Sequence, residues 1–351
     1  MDNKKKRIYG LDYMRGISCI LVMLYHYTTR IVEIFPEINS KWIIKVPFGY
    51  MGVAVFFLLS GFLSLKQYKP EQNILEFVIN KIKRLYPCYW LAAIITYFVV
   101  DIFLEEKAVS LKTLLLNLTM MESFLGAELV DGAYWTLANE LIFYTFIAIV
   151  FVVLKHKHKF NIYAITWLVC ANAILCIDSD NLCFTIFNKL FMAQYVQMFL
   201  AGGFIFVLFY YEKKVSRIIA VLGWGICLIT QMRVFGANYM IFFLIANILL
   251  IIFVLMDKQN INYPMNLLKL FRPVAFFASI SYPLYLIHQN IGYTIIINLY
   301  RFGVKNEVVI VIPIIILTGL AFFMHRFIEV PILSYQGGKN GKNTKWYNEI
   351  K

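Results

Sequence analysis

The 351-residue sequence is 61% apolar and 17% aromatic, with 15% charged residues, against roughly 25% charged in an average globular chain. One or two compact soluble cores could not hide that much apolar side chain, which argues against disorder, a secreted disulfide scaffold and an ordinary cytosolic enzyme and leaves the bilayer as solvent. Mean hydropathy is +0.70, and the net charge of +13 has to be sorted by side of the membrane before it says anything about partners.

About 20 apolar residues are needed to cross the hydrocarbon. Ten runs approach that length, at 11–34, 46–65, 86–104, 135–154, 161–178, 190–211, 217–232, 238–256, 273–299 and 308–328, the seventh being short. They are continuously apolar, without the period-2 alternation of a membrane barrel, so helices are expected. With the N-terminus cytoplasmic, 22 Lys and Arg side chains gather on that side, nine on the other, and Arg15 and Arg326 lie within spans. The expectation is an all-α polytopic bundle of about ten transmembrane helices with both termini cytoplasmic, in the cell membrane and in contact with its lipids. The basic balance is then topology, and nucleic acid is not a partner.

Lys4 to Arg7 precede the first apolar run as in a signal peptide, but Asp12 and Arg15 interrupt the run and no A-x-A site follows, so it is expected to stay as the first helix. The six cysteines form no CxxC pair, and neither a disulfide nor a metal site is expected. No internal repeat or low-complexity linker divides the chain. Residues 1–332 read as one membrane domain and 333–351, with three glycines and four lysines, as a flexible cytoplasmic tail. Two loops exceed simple connections. Residues 66–85 alternate apolar and charged residues at helical spacing and are expected along the membrane surface. Residues 105–134 carry Leu111, Leu114, Leu115, Leu118 and Met121 near helical period and are expected to dip into the interface or cover an outer opening.

Ionisable groups inside spans are costly and therefore candidates for function. Arg15 and His26 are 11 residues apart, which on an ideal helix is about 20° from whole turns and roughly 16 Å of rise. Asp12 shares that face. An Asp12–Arg15 pair with a core histidine, a transport route and a catalytic imidazole all fit this stripe. Imidazole is the usual base for deprotonating a hydroxyl.

Arg15-x10-His26, Phe56-Phe57-x2-Ser60-Gly61-Phe62, Lys83-Arg84-x2-Pro87-x-Tyr89-Trp90, Trp135-x-Leu137-x2-Glu140-x2-Phe143-Tyr144, Ser281-Tyr282-x-Leu284-Tyr285-Leu286-x-His288 and Glu329-x-Pro331 follow one another along nearly the whole chain. In this order they resemble the acyltransferase 3 family of integral-membrane O-acyltransferases. The resemblance implies transfer of an acyl group, usually acetyl, from cytoplasmic acetyl-CoA to a hydroxyl of a glycan or lipid-linked glycan. It places Arg15, Lys83 and Arg84 at the CoA phosphates and His26 deeper, as base for the attacking hydroxyl, with direct transfer and an acyl-His intermediate both open. Many members carry two arginines where Lys83 and Arg84 stand, and lysine lacks the planar fork. Some relatives carry an added soluble hydrolase-like domain; ending about 20 residues after its last span, this chain is expected to work alone or with a separate protein.

Glu140 is a candidate to orient His26 or relay a proton, or else to pair with a basic residue. Trp135 flanks it in the same motif. Tyr282, Tyr285 and His288 share one polar face of the ninth span, readable as site or as core network, and Ser60 reads as a small packing residue before it reads as a nucleophile. His156 and His158 belong to a solvated basic loop, and His325 and Arg326 are expected to pair with Glu329. The expected activity is an O-acetyltransferase acting on a surface polysaccharide or its precursor, compatible with a homodimer and without a metal. The rival is a transporter or flippase using the same polar stripe.

Overall fold

A computed structural model describes residues 8–38, 45–68, 73–177, 181–261, 263–304 and 307–334, and among these there are helices and turns but no strand. The helices are α1 (Tyr9–Tyr25), α2 (Ile31–Ile34), α3 (Gly52–Gln67), α4 (Ile74–Phe103), α5 (Leu111–Asn117), α6 (Trp135–Ile147), α7 (Phe160–Ile174), α8 (Leu182–Leu190) and α9 (Val196–Tyr210). They continue with α10 (Lys214–Phe235), α11 (Ala237–Lys258), α12 (Met265–Leu270), α13 (Arg272–Ser279), α14 (Ser281–Ile287), α15 (Gln289–Arg301), α16 (Val308–Met324) and α17 (Val330–Ser334). Three π turns, at His26–Arg30, Ala148–Val153 and His325–Glu329, each continue a longer helix.

Among the described residues, seven helical stretches are long and apolar enough to cross a membrane: Tyr9–Ile34, Pro47–Gln67, Ile74–Phe103, Gly132–Val153, Lys214–Phe235, Ala237–Lys258 and Val308–Ser334. The apolar helices α7 and α9 are shorter, at 15 residues each. Two expectations are revised. The stretch from residue 74 to 85 is no separate surface helix: Asn73 caps it by accepting from Glu76 N at 2.8 Å, and α4 then runs unbroken for 30 residues through Pro87. The run at 273–299 is divided among α13, α14 and α15, with a break at Ile280, while His288 keeps helical dihedrals between α14 and α15. The tail beyond residue 334 lies outside the described residues.

The chain divides into two compact units. The first holds residues 1–25, 46–72 and 136–278. Its centre is the approach of α3 to α9, made possible by glycine on both sides: a Cβ on Gly61 would stand 1.9 Å from the Phe199 carbonyl oxygen, and one on Gly202 would stand 2.0 Å from that of Leu58. Small residues let helix backbones meet where lipid offers no hydrophobic drive to association. Phe199 stacks on Phe57 and Phe143 at centroid distances of 4.3 and 4.7 Å, filling the space beside this contact.

The second unit holds residues 26–45, 73–135 and 279–351. Tyr282 on α14 donates to the Leu85 carbonyl of α4 at 2.7 Å. After α4 ends at Phe103 and α5 at Asn117, the chain returns to the middle of α4. There Tyr89 donates to the Asn117 carbonyl (2.6 Å), Trp90 Nε1 to Leu118 (2.9 Å) and Tyr86 to Thr119 (2.9 Å). Tyr89 stands 14 residues before Phe103, about 21 Å along the helix, so the 105–134 segment folds back along α4, and three aromatic donors on one turn of α4 satisfy its carbonyls.

Candidate functional site

His26 opens the π turn His26–Arg30, a local widening of the helix that shifts side-chain direction and recurs at functional sites. Its Nδ1 lies 2.8 Å from the hydroxyl of Tyr293 on α15, a fully buried side chain. The next residue, Tyr27, donates its hydroxyl to the His288 carbonyl at 2.7 Å. Its ring occupies the space in front of Gly292, where a Cβ would come within 2.3 Å of the Tyr27 oxygen.

His288 sits at the junction of α14 and α15 and is 1% exposed. Its ring meets that of His26 edge to face, with centroids 5.0 Å apart and planes at 68°. Nδ1 of His288 is 2.7 Å from the Tyr285 carbonyl oxygen. A carbonyl only accepts, so Nδ1 carries the proton and Nε2 carries the lone pair. That Nε2 is buried and without a hydrogen-bond partner.

The returning segment supports this pair from the other side of α14. Tyr134 donates to the Leu286 carbonyl at 3.1 Å and Tyr285 to the Ala133 carbonyl at 3.2 Å. Asp131 accepts from Ala133 N at 2.9 Å and from Asn290 N, at the start of α15, at 2.8 Å. Burial raises Asp131 to about 7 against these two donors. Glu122, also on the returning segment, is fully buried with no hydrogen-bond partner on either carboxylate oxygen. Burial pushes it up to about 7, so its neutral form is favoured.

The other expected residues fall into separate groups. Glu140 on α6 accepts from Ser60 of α3 at 3.1 Å and from Tyr144 one turn along its own helix. Asp12 and Arg15 form an i,i+3 pair at 3.9 Å on α1. Lys83 and Arg84 stand half-buried on α4, and Trp135 opens α6. His325 bonds Glu329 at 2.7 Å, the structural pairing expected for it. Among the described residues no group of three or more His, Cys, Asp or Glu side chains could hold a metal ion.

Tyr293, Asp131 and Glu122 were not singled out by the sequence reading. Tyr293 had a usable signal: Gln289, Asn290, Gly292, Tyr293 and Thr294 make a polar stretch inside an apolar run. Glu122 and Asp131 lie in the 105–134 loop, where the expectation rested on its leucines and not on its carboxylates.

Comparison with known proteins bears on the chain's family. The model of the acyltransferase 3 family, an acyltransferase domain, matches residues 8–324. ORF330 of Acidianus two-tailed virus is 29% identical over 137 residues, 39% of each chain. Nodulation protein 10 of Rhizobium leguminosarum bv. viciae is 27% identical over 155 residues, 38% of this chain and 42% of that protein. O-acetyltransferase OatA of Staphylococcus aureus is 24% identical over 372 aligned positions, 92% of this chain and 57% of that protein. The chain thus spans about half the length, or less, of the curated relatives it matches. No solved structure matches it. Several apolar helices of membrane-crossing length and a match over nearly the entire chain lead to one assignment: this multi-pass membrane protein belongs to the acyltransferase 3 family.

Proposed function

We propose that the protein is a membrane O-acyltransferase that moves an acyl group, acetyl in the first instance, from cytoplasmic acyl-CoA to a hydroxyl of a cell-surface polysaccharide or lipid-linked glycan. The observation that carries this reading is His26. It is an imidazole on a π turn, its Nδ1 engaged by a buried tyrosine and its ring packed on a second buried imidazole. As base, this imidazole takes the proton of the acceptor hydroxyl as that oxygen attacks the thioester carbonyl.

CoA is a polyanion. Arg15, Lys83 and Arg84 are the cations assigned to its phosphates, in the cytoplasmic halves of their helices in the orientation that puts both termini inside. The acyl donor supplies an activated thioester; the protein supplies charge pairing, orientation and the base. Glu140, held by Ser60 and Tyr144, is assigned to the acyl path as a hydrogen-bonded carboxylate. The name OatA, of an O-acetyltransferase, supports acetyl and a hydroxyl acceptor.

A transporter built on the same polar stripe would move a solute without forming an ester. The test is purified protein in lipid nanodiscs with [14C]acetyl-CoA and a cell-envelope fraction as acceptor. Label fixed in alkali-labile ester linkage, dependent on the protein, is expected. Release of neither CoA nor labelled ester would contradict the reading and favour the transporter.

A further inference from the structure

Tyrosines from several helices meet at one end of the first unit. α1 closes with Tyr25, the 3₁₀ turn Pro47–Met51 brings Tyr50 to the start of α3, Tyr195 directly precedes α9, and Tyr239 lies in the first turn of α11. Tyr50 is the centre of the group. Its ring lies 5.6 Å from that of Tyr25 and 5.0 Å from that of Tyr239, centroid to centroid, and its hydroxyl is hydrogen-bonded to that of Tyr239. Phe48 extends the group, 5.9 Å from Tyr239 and stacked on Phe242 at 4.8 Å. Tyrosines that merely mark the boundary of lipid and water lie singly along it, whereas these four are half-buried and converge. Two phenols joined by one hydrogen bond keep a second O–H to donate.

A second observation lies about one turn further in. Tyr195 meets Phe235, the last residue of α10, at 6.1 Å; Gln197 follows Tyr195 by two residues and Gln231 precedes Phe235 by four. Both glutamines are fully buried. Gln197 Nε2 donates to the Gln194 carbonyl at 2.8 Å and to Gln231 Oε1 at 3.0 Å. A carbonyl only accepts, so both amide orientations are fixed. Gln197 Oε1 and Gln231 Nε2, one acceptor and one donor, are then buried without hydrogen-bond partners, which is costly unless a ligand uses them. One hydroxyl serves both, giving its proton to the first and a lone pair to the second.

Resting on the function proposed above, we propose that this end of the first unit is the subsite for the acceptor and that its ligand is a carbohydrate. The rings of Tyr25, Tyr50 and Tyr239 cover the C–H face of a sugar, and the phenols and the Gln197–Gln231 pair take its hydroxyls. A sugar ring carries both features: C–H bonds with partial positive charge, suited to the negative face of an aromatic ring, and a rim of hydroxyls that donate and accept. An acyl chain would use the rings and leave the amides unpaired, and these side chains carry no charge to meet a phosphate headgroup. In the orientation that puts both termini inside, this end of the unit faces outward, where a surface glycan is met. The residue after Tyr25 in the chain is His26, the assigned base.

The experiment uses purified protein in nanodiscs. The probe is the cell-envelope fraction, stripped of O-acetyl groups in alkali and released as soluble oligosaccharide by mild acid. Its binding is read by saturation-transfer NMR, and its KM by [14C]acetyl-CoA transfer. Tyr239→Leu and Gln231→Leu should each raise the acceptor KM about fivefold or more and weaken saturation transfer in step, with kcat and the KM for acetyl-CoA within about twofold of wild type. Tyr239→Phe keeps the ring and its packing, loses the hydroxyl and should raise the acceptor KM by about threefold; it decides the matter where the leucine variant does not fold. Wild-type acceptor KM and saturation transfer in a folded variant at either position would overturn the inference. So would a fall in kcat and acetyl-CoA affinity with acceptor KM unchanged, as lost packing alone would give. Saturation transfer that Tyr239→Leu removes, in a wild-type protein that forms no ester, would strike the acyl-transfer reading and leave the carbohydrate subsite standing.

Discussion

The buried carboxylate of Glu122 should make the stability of this protein depend on pH in a way that one substitution removes. Its pKa rises from the ordinary 4.5 to about 7 because burial disfavours the ion. The folded state therefore binds a proton more tightly than the unfolded state does, and a raised acid opposes folding as pH increases. The penalty is nearly absent at pH 4.5, grows through the interval up to 7 and is fully developed above it. At 1.36 kcal/mol per pKa unit it reaches about 3 kcal/mol by pH 8, against roughly 1.4 kcal/mol at pH 5.5. Glu122→Gln keeps the shape and cannot ionise, and the burial of its own amide is an offset that does not vary with pH. Asp131, raised in the same window, is common to both proteins and drops out of the comparison. Thermal unfolding in detergent at pH 5.5 and 8 should show the variant gaining on wild type by about 2 kcal/mol, a relative Tm change of roughly 4 °C. Parallel pH dependences, with a constant gap between the two proteins, would refute the assignment of Glu122 as a buried, titrating group.

Gly61→Ala should lower stability by at least about 2 kcal/mol and reduce the yield of folded protein, since its Cβ would meet backbone rather than a movable side chain; a fluorescence-detected size-exclusion melt that matches wild type would contradict the α3–α9 packing. Replacing both Tyr86 and Tyr89 by Phe removes the donors to the Thr119 and Asn117 carbonyls, so hydrogen exchange at 117–130 should accelerate at least tenfold while the α3–α9 contact stays protected. Arg84→Ala should weaken acetyl-CoA binding by roughly 1.5–3 kcal/mol, as expected for a lost charge-assisted contact. Isothermal titration showing wild-type affinity would remove Arg84 from the donor site.

Much of the helical architecture was legible because lipid exposure forces long apolar runs, and the candidate histidines were legible because charge inside such runs is rare. His288 and Tyr285, three residues apart, could be placed on one helix face from spacing alone, and the structure joins them through the Tyr285 carbonyl. The return of the 105–134 segment was not legible in its depth. Its carbonyls are satisfied by Tyr86, Tyr89 and Trp90, roughly thirty residues earlier, and no local pattern encodes so distant a partner. The break at Ile280 had a local signal that was missed, Pro283, which has no N–H for the helical bond back to Ser279. The π turn at His26 likewise escapes a 100°-per-residue projection, which assumes uniform winding on both sides of the residue that matters most.

The central claim is that His26 is the base for acyl transfer, and His26→Gln tests it most directly because glutamine keeps polar bulk and loses the basic nitrogen. Measured side by side in nanodiscs, the variant should bind acetyl-CoA with near wild-type affinity while its rate of labelled ester formation falls by about 10²–10⁴-fold. Near-normal ester formation by a well-folded His26→Gln protein would contradict the account.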